Sequence, residues 1–127
     1  MTTRKERLRK LVNVQEQLKA LHETRHATFL AAAGAAETEA RELVEHFDTD
    51  RSLAGLFPDL YHRRIANALV RQQDSLESAR QEANLIATAT ARTNMVERAY
   101  KDISRRDERE RSDRERLDLI AQKREQE

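Results

Sequence analysis

The chain has 127 residues, 38% hydrophobic and 37% charged, with three Phe, two Tyr and no Trp, so a layered core of sheets against helices could not be filled and only a thin core remains. Twenty-four basic and 23 acidic side chains leave a net charge of +1, which excludes a whole-chain field able to hold nucleic acid or anionic lipid. Cysteine is absent, which excludes disulfides, thiolate nucleophiles and thiolate metal sites, while the lack of an apolar run near the roughly 20 residues of a bilayer span, or of an apolar leader, predicts a chain kept in the cytoplasm without membrane insertion.

Gly occurs only at positions 34 and 55 and Pro only at 58, so the chain has few corners. Ala, Glu, Arg, Gln and Leu dominate, and each loses little on entering a helix. From about residue 3 to 47, Leu8, Leu11, Leu18, Leu21, Phe29, Ala32, Ala36, Ala40, Leu43 and Phe47 recur three or four apart, predicting one helical stripe. With Arg25 counted, the steps from Leu18 to Phe47 follow an eleven-residue rhythm, which straightens a coil relative to strict heptads.

Residues 48–57 form the predicted corner. Cap-type residues, Gly55 and Pro58 gather there, and Pro58 suits the first turn of a second helix, with Asp59 at the positive end of its dipole. Phe47, Leu53, Leu56, Phe57, Leu60 and Tyr61 are more apolar surface than a two-helix tip can bury, and such patches mark interaction sites.

From about 58 to 125 the pattern resumes at Ile65, Leu69, Leu76, Ala79, Ala83, Ile86, Ala89, Val96, Tyr100 and Ile103, with the unbroken length of a coiled coil. The fold class is therefore all-α, a long two-helix antiparallel coiled-coil hairpin over residues 1–127. If the chain pivots near residue 54, position n of helix 1 lies opposite roughly 108 minus n in helix 2. That register sets Leu18 and Leu21 against Ala87 to Ala91 and the alanines at 31 to 36 against Leu76, large against small. Helix 1 then runs out, and helix 2 overhangs it beyond residue 105. There Asp107 with Arg111 and Glu110 with Arg114 are spaced for ion pairs worth ~0.2–0.5 kcal/mol each. Leu117, Ile120 and Ala121 form a one-face patch that calls for a partner.

His22-Glu23-Thr24-Arg25-His26 matches the H-E-x-x-H zinc signature,, but a hydrolase also needs a third ligand and a cleft, and a thin helical hairpin supplies neither. These residues are expected to be ordinary surface chemistry. His46 and His62, with Asp48, Asp50 and Asp59, flank the corner and are read as helix-end residues rather than a metal set. The basic start, Thr2 to Lys10, is too short for a basic-zipper arm and is followed by a coil that folds back, so nucleic-acid binding is not expected. No phosphate loop, Ser/His/Asp set or pocketed carboxylate pair can be assembled. The expectation is a non-enzyme with no cofactor and no metal.

The order of basic start, long helix, corner, longer helix and charged C-terminal segment resembles the FliJ family, the stalk proteins of the flagellar export ATPase. Met95-Val-Glu97, the charged run Arg105 to Arg116 and Arg114-Glu-Arg-Leu-Asp-Leu-Ile-Ala121 are similar to its C-terminal pattern, and Arg7-Leu-Arg-Lys-Leu11 to its start. Leu119 departs from it, standing where the family usually has an acidic residue. The resemblance implies a stalk in the opening of the flagellar export ATPase ring that also contacts the export gate membrane protein and empty export chaperones, peripheral to the inner membrane at the flagellar base. Arg105, Arg106, Arg109 and Arg111, with Leu117, Ile120 and Ala121, would meet the ring, and the corner residues Phe47, Leu53, Leu56, Phe57, Leu60 and Tyr61 the gate. A virulence type III secretion stalk and an independent coiled-coil scaffold or chaperone remain open alternatives.

Overall fold

The computed structural model describes residues 3–47 and 55–126. Two helices account for nearly all of them, α1 over Arg4–Phe47 and α2 over Pro58–Gln126, packed as an antiparallel hairpin in which α2 outruns α1. Helix α1 opens with a reciprocal capping box: the Glu6 amide donates to Thr3 Oγ1 at 3.2 Å and the Thr3 amide donates to Glu6 Oε2 at 3.3 Å. Two amides that the helix cannot satisfy are thereby paired. Helix α2 opens on Pro58, whose missing N–H is one of the unpaired amides of a first turn, and the Phe57 carbonyl accepts from Tyr61 N–H at 3.3 Å,.

Packing contacts gather into two units, Leu18–Thr88 and Met1–Gln17 with Ala89–Glu127. In the first, Glu39 meets Arg71 and Phe47 meets Tyr61, while His22 meets Glu82. Position numbers fall on α2 as they rise on α1, and the pairs scatter around the expected register. Apart from Glu39 and Ser78, which are half-buried beside the seam, the less exposed positions of this unit are Lys19, His22, His26, Phe29, Ala33, Ala36, Ala40, Leu43 and Phe47 on α1 and Tyr61, Ile65, Ala68, Gln72, Ser75, Ala79, Glu82 and Ile86 on α2. Steps of three and four alternate without a break on both helices, which is a strict seven-residue repeat.

This corrects the eleven-residue rhythm and the stripe built on it. Leu18 and Leu21 are 41% and 44% exposed, and Ala32, Leu69, Leu76 and Ala83 also lie outside the seam. The inward face is set by small residues, with larger side chains such as Phe29, Leu43, Ile65 and Ile86 at other positions along it. Ala33, Ala36, Ala40, Ala68 and Ala79 are buried, Ala68 completely, and small side chains let two backbones approach closely. Leu18, Leu21, Leu69 and Leu76, each one position from a seam residue, lie on the flank.

In the second unit the same spacing continues in each helix, with Lys5, Leu8, Val12 and Gln15 on α1 and Ala89, Thr93, Val96, Tyr100 and Ile103 on α2. Leu11, expected in the stripe, is exposed. Lys5 Nζ lies 5.6 Å from the centre of the Tyr100 ring, a cation over an aromatic face beside the start of α1. Every described residue of α2 from Arg105 onward is exposed. At ~1.5 Å per residue, residues 105–126 extend about 33 Å as helix.

Candidate protein-interaction surfaces

In the unit holding the C-terminal helix, Arg105, Arg106, Arg109 and Arg111, together with Leu117, Ile120 and Ala121, are all exposed, with Leu117 at 65% and Ile120 at 49%. Helix geometry divides them. With 100° per residue, Arg105, Arg109, Ile120, Arg106 and Leu117 fall within about 120° of arc, while Arg111 projects from the opposite side. Ala121 borders the first group. The expected ion pairs of Asp107 with Arg111 and Glu110 with Arg114 are not made: among the described residues the same-helix pairs within 4.0 Å are Lys19 with Glu23, Arg41 with Glu37 and Arg80 with Glu77. An exposed pair gains only a few tenths of a kcal/mol, about what restraining two long side chains costs.

At the corner, in the other unit, the predicted residues separate into two sets. Phe47 and Tyr61 turn inward, their ring centres 6.3 Å apart in an edge arrangement, and the His62 ring lies 5.2 Å from that of Phe47. Ring pairs in this geometry contribute ~0.5–1.5 kcal/mol beyond simple burial, and they close the end of the helix pair. Leu56, Phe57 and Leu60 face solvent, Leu56 at 74% exposure. Leu53, Asp48 and Asp50 lie outside the described residues. His62 lies beside the Phe47 ring, and among the described residues no three His, Cys, Asp or Glu side chains converge as a metal set would.

The H-E-x-x-H segment holds what the sequence reading missed. His22 and His26 are not on the surface but occupy successive seam positions, half-buried. His22 Nδ1 lies 2.7 Å from Glu82 Oε2, and Glu82 is buried. Glu82 thus bridges the two helices from inside the seam. Among the described residues no buried side-chain nitrogen or oxygen lacks a partner, as is usual for groups taken out of water. Counting back in sevens from Leu43 through Ala36 and Phe29 would have reached His22. A second cross-helix contact, Arg71 Nη2 to Glu39 Oε2 at 2.6 Å, sits at the exposed edge of the seam.

Exposed apolar side chains also line the flanks. Leu30, Val44 and Leu69 in the unit Leu18–Thr88 are each close to half exposed. No described helix is long and apolar enough to cross a membrane. No protein-family model, curated protein or solved structure matches the chain.

Proposed function

We propose that the chain is a non-catalytic stalk of a flagellar type III export apparatus, coupling the export ATPase ring to the export gate in the cytoplasm at the flagellar base. The observation that supports this reading best is the helix of residues 105–126, exposed along its whole length and carrying Leu117 and Ile120 in water. Apolar residues on an unpaired helix are an unfavourable surface unless another protein covers them. The exposed corner residues Leu56, Phe57 and Leu60 form a second surface, assigned here to the gate, and export chaperones are a further class of partner. A stalk of a virulence secretion ATPase has the same requirements.

The test is a pull-down with the purified flagellar export ATPase of the same cell, comparing the natural chain with Leu117→Asp combined with Ile120→Asp. Circular dichroism checks that the helix is kept. Loss of binding with helix retained is the expected result, and undiminished binding would remove the C-terminal helix from the interface. For the corner, Leu56→Asp with Phe57→Ala should reduce export and motility while the hairpin stays folded.

A scaffold that associates with itself is a second reading, favoured by the exposed flank residues Leu30, Val44 and Leu69. Sedimentation separates the two, since a scaffold gives a stable dimer or larger species at low micromolar concentration and a stalk does not.

A further inference from the structure

The C-terminal helix is divided by charge along its length. Projected at 100° per residue, one half of its circumference carries Arg105, Arg106, Arg109, Arg116, Lys123 and Arg124, with Leu117, Leu119 and Ile120 among them and Asp113 as the single acid. The other half carries Asp107, Glu108, Glu110, Glu115, Asp118 and Glu125, with Arg111 and Arg114 as its only cations. A chain of net charge +1 therefore presents a strongly basic strip that its overall balance conceals. No cross-helix ion pair reaches this strip, because α1 does not extend alongside it.

We infer that the helix docks through this one basic and apolar face onto a protein surface whose acidic side chains border an apolar recess. Charge complementarity selects the partner: six cations around three apolar side chains match carboxylates around a groove. A nucleic-acid strand suits the face less well, because Ile120 occupies its middle, Leu117 and Leu119 border it and six acids stand behind it,. A lipid surface needs far more apolar area than three side chains provide. The opposite, acidic half stays in water or meets a second, basic surface. Arg111, although next to the other arginines in sequence, takes no part in the docking. This inference takes the ATPase as partner from the stalk reading, but the division of the helix into two faces is independent of it.

The experiment compares two double charge reversals that change net charge equally, Arg109→Glu with Arg116→Glu on the basic face and Arg111→Glu with Arg114→Glu on the acidic one. Circular dichroism establishes equal helix content. Binding to the purified export ATPase should fall about tenfold or more for the first pair and stay within about twofold for the second. Equal losses, or a larger loss from the second pair, overturn the inference. Wild-type retention on duplex DNA at physiological salt, stronger than on the ATPase, overturns the assignment to a protein partner.

If the natural chain does not bind the ATPase, the stalk reading fails and the face is read on a sulfonate cation-exchange surface. There the Arg109/Arg116 variant should elute at clearly lower salt than the Arg111/Arg114 variant despite identical net charge. Co-elution overturns the inference on that arm.

Discussion

The contact between His22 and Glu82 permits a quantitative test of how the seam is held. Glu82 is buried, the His22 side chain is 18% exposed, and the two atoms are 2.7 Å apart. A hydrogen bond with one charged partner contributes ~1.5–3 kcal/mol, and a polar group left unpaired after truncation adds its own desolvation cost. Glu82→Ala should therefore cost about 2 kcal/mol and Glu82→Gln, which keeps an acceptor at the same reach, about half that. With a urea m-value of roughly 2 kcal/mol/M, the alanine variant should shift the unfolding midpoint down by about 1 M. A double-mutant cycle with His22→Ala isolates the pair and should give a coupling of about 1–2 kcal/mol. Replacing both residues by Leu removes the polar pair without leaving an orphan, so that variant should match or exceed the natural stability. Urea unfolding followed by circular dichroism measures all of these. A coupling below about 0.3 kcal/mol would show that the contact does not hold the helices together.

Other sites give simpler outcomes. Ala68 is completely buried, so Ala68→Leu should force the backbones apart and cost ~1–3 kcal/mol by the same unfolding assay. Gly34 is helical, and a Cβ built there meets nothing within 4 Å, so Gly34→Ala should stabilise by about 1 kcal/mol; a loss of stability would contradict an open helical site. Arg71→Ala breaks an ion pair whose side chains are 57% and 37% exposed and should cost no more than about 0.5 kcal/mol. Thr3→Ala removes one bond of the capping box and should cost ~1 kcal/mol of local helix stability, read as faster amide exchange at the first turn of α1.

Element boundaries were legible because punctuation is so sparse. Pro58 marks the start of α2, and only one further Gly interrupts the rest of the helical sequence. The pairing register followed from the position of the corner, and the unequal helix lengths followed from the register. What stayed hidden was the direction of the faces. Hydrophobic periodicity weights large side chains, so Leu11, Leu18 and Leu21 drew the stripe to themselves, while the seam runs one position over through Val12, Lys19 and His22. Alanine gives little signal in such a reading, and a buried histidine and glutamate give a contrary one. The candidate surfaces were half legible for the same reason. The C-terminal helix was found by length alone, whereas the corner aromatics split once Phe47 and Tyr61 packed on each other.

The exposed run of α2 also sets how the protein responds to heat. A helix surrounded by water is held by its own backbone bonds and obeys helix–coil statistics, gaining and losing helical residues gradually rather than melting in one step. Warming should therefore bleed helical signal away from residues 105–126 along a sloping baseline, before the seam gives way in a sharper transition. The segment assigned to partner binding then has a temperature-dependent length, and a partner that captures it recruits a growing or shrinking helix rather than a fixed one.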